Sequence, residues 1–413
     1  MASIVPREQI SIEDKMATLK SILPAINKKA GKTIIGTIGD NPEIEQKLTI
    51  RYIPTPSKAL NLAIAGPQGG FPRGRCSLIA GLPDSGKTSI LLETISLNMK
   101  KDPSFIAFWL ESEGSLTKDY ICGVFGVDPE RFIFMEYDPV LGAEDVLDMV
   151  RSVLSTGVVD MACINSLKCL VPKKEQETAL KDATVALQAR LNSRMTNKFT
   201  AIVKEYDTAF CLVCHLTTDI GSMSRDPLIV AGGHSIKYWS SLTIDMRKLS
   251  IAPTDPITQE EGIKVCVRIK KNHCRPDIFP YKKIQYYAIF GEGIEQILTS
   301  LDYALEQGVV EQKGNWLYWM KDGEIYERWQ GRGAFRSYMH DNPDKFSEYI
   351  DMIDQSMAVK NIAGDELDKI MTDEKNIDDI AQAIDDIVAE DKSEQDKTEN
   401  TEDKKKTTRK KTK

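Results

Sequence analysis

No apolar run in the 413 residues reaches the length of about eighteen that a membrane span needs, so no membrane-spanning segment is expected. Residues 1–8 lack the charged-then-apolar layout of a secretory signal, and a cytoplasmic chain is the expectation. A disulfide framework is missing too: the eight cysteines are scattered singly, mostly within apolar runs, as in a protein that keeps its thiols reduced. Cys211 and Cys214, beside His215, form the one CxxC, with no second pair to complete a four-thiol zinc site. Strand alternation over Cys211–Cys214 sends the two sulfurs to opposite faces, which argues against a metal or redox pair.

A broadly basic surface is also lacking. Residues 361–403 carry 16 acidic and 4 basic side chains, and 404–413 add seven positive charges. The rest of a chain of net charge −7 is nearly neutral, so any nucleic acid is held by a local patch. The acid-rich, aromatic-poor composition of 359–413 predicts a disordered tail, acidic and then basic.

What is present is an alternation of strand-like and helix-like segments from about residue 55 to 295, the pattern of an α/β domain with a mostly parallel sheet. Strands are expected at 76–80, 104–110, 132–136, 158–165, 209–216 and 241–248, then an antiparallel edge pair at 264–271 and 283–290. Ahead lies a helix-strand arm (1–50), with helical spacing over 12–29 and a strand at 33–38. The core spans 51–295. A small α+β lobe (296–358) follows, whose Trp316–Trp319 cluster reads as its own core.

Gly81, Leu82, Pro83, Asp84, Ser85, Gly86, Lys87 and Thr88 match the phosphate-loop pattern G-x-x-x-x-G-K-[ST]. The loop follows an apolar strand and opens a helix, the arrangement that aims backbone N–H groups at a polyphosphate, and Ser89 beside it is also expected at the nucleotide. Lys87 reaches the outer phosphates and Thr88 holds Mg2+; ATP and Mg2+ are the expected cofactors. The strand 104–110 ends in Glu111-Ser-Glu113, acids at the carboxyl edge where ligands sit. The strand 158–165 ends in Asn165, where an Asp to hold the metal's water is expected. An amide there bonds a metal-bound water without the charge, so a lowered turnover is expected.

Together these residues resemble the RecA-type recombinases of bacteria and their phage relatives. The likeness runs from about residue 15 to 350 and includes 69–75, 126–131, 165–173, 232–238, 244–247, 271–273 and 290–294, in order and spacing. The resemblance implies a RecA-like P-loop ATPase core whose ATP sits between subunits of a helical filament on single-stranded DNA, which is then paired with homologous duplex DNA. It implies that Glu113 activates water, that Tyr120 stacks on adenine, and that His215 senses the γ-phosphate and signals to the DNA loop behind it. Lys271 matches a lysine reaching the neighbour's ATP; the family's second such cation is here His273.

Two loops resemble DNA-binding loops. One, near 173–188, enters a helix carrying Arg190 and Arg194; Asn197 stands where the bacterial protein has another Arg. The other spans 216–233 and carries Arg225, with Gly232 and Gly233 placed to let backbone approach phosphate. The reading is thus a DNA-dependent ATPase that promotes homologous pairing and strand exchange in a bacterial or phage-infected cytoplasm, with single-strand-binding and loader proteins as further partners. The alternatives are an ATP-binding, DNA-coating filament protein with little hydrolysis, and a ring helicase on the same fold.

Overall fold

A computed structural model describes residues 11–353, apart from 67, 177–186, 219–227, 231–233, 253–254, 276–282 and 322. Helix α1 (Ile12–Ala30) starts where the Ser11 hydroxyl accepts the Asp14 N–H, and ends at Gly31, whose φ of 69° suits glycine. None of its residues is buried, and Ile12, Leu19 and Ile22 are at least half exposed. The expected strand at 33–38 pairs with no strand among the described residues. The Asn27 side chain takes its place, accepting the Ile34 N–H at 2.8 Å and donating to the Ile35 carbonyl at 2.9 Å. A lone extended segment has no ladder to join, so its isoleucines stay exposed.

A short helix, α2 (Pro42–Leu48), precedes β1 (Tyr52–Ile53), α3 (Lys58–Ala65) and β2 (Phe71–Pro72). The main sheet is then built from β3 (Cys76–Gly81), β4 (Ala107–Glu111), β5 (Phe132–Glu136), β6 (Met161–Asn165), β7 (Ala209–Thr218), β8 (Leu228–Val230), β9 (Leu242–Leu249), β10 (Gly262–Asn272), β11 (Lys283–Ile289) and β12 (Gly293–Ile294). Their order is β12-β11-β10-β9-β3-β7-β6-β4-β5, with β8 paired to β7. From β5 to β9 every pairing is parallel; β10, β11 and β12 complete the expected antiparallel edge.

The connecting helices are α4 (Lys87–Lys101), α5 (Ala143–Leu154), α6 (Lys173–Gln176), α7 (Leu187–Glu205) and α8 (His234–Trp239). The sheet separates two apolar cores, and alternation along its strands feeds both. Ala209, Cys211 and Val213 face the core that includes Ile90 and Ile95 of α4, whereas Phe210, Leu212 and Cys214 face the one that includes Val146 of α5 and Phe199 of α7. The two cysteines of the CxxC are thereby held on opposite faces.

Beyond the sheet, α9 (Gln296–Gln307) is capped by the Glu295 carboxylate, which accepts the Leu298 N–H. It packs on an antiparallel sheet of β13 (Val310–Lys313), β14 (Trp316–Lys321) and β15 (Glu324–Gln330), followed by α10 (Gly331–Asp341). Trp319 is fully buried and stacks on Trp329, but Trp316 faces solvent at the strand's start. Residues 344–353 belong to a second unit and are helical. The acidic and basic tail lies outside the described residues.

Candidate functional site

Parallel strands bring their carboxyl ends to one edge, and four of them converge there. β3 runs into the phosphate loop at Gly81, where a Cβ would stand 2.5 Å from Ser85 Oγ and 2.6 Å from the Met246 carbonyl oxygen. Asp84 at φ 57° and Gly86 at φ 81° turn the chain into α4. No side chain caps that helix, so its first N–H groups are left to a ligand. Lys87 is 6% exposed, and its Nζ donates to the Leu82 carbonyl at 2.7 Å. Burial draws its pKa down, against the charges of Glu113 and Asp84. No carboxylate among the described residues pairs with it, so a buried cation stands ready for an anion. Thr88 follows at the second position of the helix.

Glu111 and Asn165 end β4 and β6 directly opposite each other. Glu111 is 1% exposed and accepts from Trp109 Nε1 at 3.0 Å, Asn165 Nδ2 at 2.9 Å and the Glu113 N–H at 3.1 Å. It is consumed internally and holds the strand ends together. Asn165 is the amide complement of that carboxylate, which accounts for its being no Asp. Its Oδ1 is buried and has no partner among the described residues, an acceptor of the kind a metal-bound water would satisfy. The residues therefore fit Mg2+ held by Thr88 and, through water, by Asn165.

Glu113 and His215 meet: Oε1 lies 2.6 Å from His215 Nε2. Burial alone raises the Glu113 carboxyl, but hydrogen bonds with Ser166 and His215 and the charge of Lys87 outweigh it, holding the group below its usual range. Ser112 ties the same turn to β6, its Oγ donating to the Ser166 carbonyl at 2.7 Å and accepting the Ser166 N–H at 2.9 Å. Ser112 and Ser166 escaped the sequence reading; their position beside the two strand ends is the signal that finds them. His215 sits in β7 level with Gly81 of the loop.

Tyr120 lines a cavity of about 350 Å3 together with Asp84, Gly86, Phe290 and Ile294. Its hydroxyl bonds Ser89 Oγ at 3.2 Å and its ring meets Phe125 edge-on. The cavity is roomy enough for a purine between apolar walls.

Lys271 is not brought to this site. It pairs with Thr243 in β9, whereas Gly81 is level with Met246, itself opposite Val267. Three residues of β9, roughly 10 Å, separate it from the loop's level. Its Nζ donates instead to the carbonyls of Lys237 and Tyr238 at the end of α8. His273 is exposed, its N–H bound to the Ser241 carbonyl.

Arg190, Arg194 and Asn197 share one exposed face of α7, opposite Leu191, Met195 and Phe199 in the core. The expected loop from 216 is shorter than its sequence implies, because Leu216, Thr217 and Thr218 pair antiparallel with Val230, Ile229 and Leu228. Arg225, Gly232 and Gly233 lie outside the described residues.

The RecA N-terminal domain family matches residues 17–295. The chain is 32% identical to Protein RecA of Thermus aquaticus over 336 residues, covering 81% of this chain and 93% of that protein. It is 30% identical to Protein RecA of Kineococcus radiotolerans over 348 residues, with 84% and 93% covered. It is likewise 30% identical to Protein RecA of Streptomyces ambofaciens over 346 residues, with 84% and 87% covered.

Proposed function

Because the chain belongs to the RecA family, we propose that it is an ATP-dependent homologous recombinase, a DNA-dependent ATPase that filaments on single-stranded DNA and exchanges it with homologous duplex. Lys87 and the N–H groups opening α4 bind the phosphates, and Tyr120 covers the base. Mg2+, held by Thr88 and through water by Asn165, offsets charge on the outer phosphates. Glu113 orients and deprotonates the attacking water. His215 touches Glu113 and lies in the strand that leads to the second DNA loop, so occupancy of the phosphate site and the posture of that loop are linked through one side chain. That contact is the observation carrying the reading. Lys271, remote from its own loop, serves the neighbouring subunit's ATP.

DNA is held by Arg190 and Arg194 together with the segment containing Arg225, Gly232 and Gly233. The arm of residues 1–50 joins subunits, and the tail from 359 competes with DNA for the basic loops. The protein works in the cytoplasm of a bacterial or phage-infected cell, beside single-strand-binding and loading proteins. Relatives matched over 93% of their length speak against a ring helicase.

The test is ATP hydrolysis with and without single-stranded DNA. Turnover rises with DNA in the wild type. It falls by about 10² or more in Glu113→Gln and in Lys87→Ala. DNA binding that needs ATP but shows no turnover would instead favour the coating protein.

A further inference from the structure

Glu93 lies one helical turn beyond Ser89 on α4 and lines the same cavity. Its two carboxylate oxygens share the Ile294 N–H, at 3.2 and 3.0 Å. Gly293 passes so close that a Cβ there would stand 2.8 Å from the carboxyl carbon. The acid is thus built into the junction between α4 and β12. It has no task in phosphate binding, being six residues, roughly 9 Å of helix rise, beyond Lys87.

The cavity's walls are mostly apolar, and few of its polar side chains can read a base. Ser89 and Tyr120 bond each other. Lys248 and Tyr286 bring donors to the lining. Only two lining side chains are pure acceptors when ionised, and Asp84 belongs to the phosphate loop. We propose that Glu93 reads the nucleotide base: its carboxylate accepts the exocyclic amino group of a 6-aminopurine and disfavours a 6-oxopurine, whose O6 would face it as a second acceptor. This deepens the reading of the cavity as the base site and rests on it.

Burial pushes the Glu93 carboxyl up to about 7, against the Ile294 N–H and Lys100. The ionisable groups lining the cavities with it are Lys100 and Lys101 on its own helix, Asp84 of the loop, Tyr120, Lys58 of α3, Lys248 of β9, Tyr286 of β11 and Glu292 of the turn before β12. Protonation converts the acceptor into a donor, so base discrimination is strong above neutrality and fades below it.

The experiment is equilibrium binding of ATP, ITP and purine riboside triphosphate to the full chain at pH 6 and pH 8. The wild type prefers ATP over both at pH 8, and the ATP-to-ITP preference shrinks at pH 6. Glu93→Gln lowers that preference about tenfold at pH 8 and removes its pH dependence. An unchanged ratio in Glu93→Gln, even with weaker binding of every nucleotide, overturns the proposal. So does equal wild-type affinity for ATP and purine riboside triphosphate, a result that needs no variant. No binding of ATP at all by the wild type would sink the nucleotide-site reading itself.

Discussion

Glu113 Oε1 and His215 Nε2 stand 2.6 Å apart, joining the turn after β4 to the interior of β7 across the end of β6. One contact therefore ties the acid proposed to work on water to the strand that runs toward the proposed DNA loop. A hydrogen bond this short to a carboxylate is of the strong kind.

The contact fixes a direction in pH. Glu113 is held below the ordinary glutamate range, so its charged form adds stability above that range and loses it as pH falls through the lowered value. His215→Asn removes two of the influences that lower it and leaves burial, which raises it. The acid limb of DNA-stimulated hydrolysis is expected to move to higher pH, as read from a pH profile of turnover. DNA stimulation itself should also shrink in the variant, because the link to β7 is cut.

Asn165 and Glu111 make a second pair. Placing Asp at 165 would set two buried carboxylates where the amide now donates at 2.9 Å. Asn165→Asp is expected to cost about 3 kcal/mol in stability, measured by urea unfolding at pH 7. Adding Glu111→Gln should restore most of it, because the amide and carboxylate have exchanged places. A cycle with no coupling between the two sites would refute this account of Asn165.

Lys271 faces away from its own loop, which predicts complementation. Lys271→Ala should lower DNA-stimulated hydrolysis roughly hundredfold while leaving ATP binding to the isolated subunit intact. Mixing it with Lys87→Ala protein, also inactive, should restore turnover at junctions where an intact loop meets an intact lysine. Turnover that stays absent at every mixing ratio would place Lys271 outside the neighbour's site.

Most of the fold was legible because its signals are local. The phosphate loop is a contiguous motif, and the apolar runs at 76–80, 132–136 and 209–216 found their strands within a residue or two. The segment 33–38 was read as a strand from its apolar residues, yet a strand needs a partner, and within the chain Asn27 supplies the bonds. The site was legible as a set of residues but not as a set of contacts. Glu111 and Asn165 are far apart in sequence, so only the parallel register of β4 and β6 shows that the amide answers the carboxylate. Glu93 carries no signal in the sequence, because nothing local reveals that Gly293 closes over it.

Glu93 also predicts a stability trend. Its carboxyl is raised from 4.5 to about 7, so the fold favours the neutral acid and loses stability as pH climbs through that window. Glu93→Gln should therefore gain on the wild type between pH 5 and pH 8, by at most about 3 kcal/mol because solvent reaches part of the group. Denaturant midpoints at the two pH values measure it; an equal offset at both would contradict it.

The most direct test of the central claim is strand exchange itself: circular single-stranded DNA, a homologous linear duplex and ATP, with joint molecules followed by gel. The account predicts joint molecules that require both ATP and homology and disappear in Lys87→Ala. DNA coated by protein with no joint molecules formed, or duplex unwound without regard to homology, would contradict it.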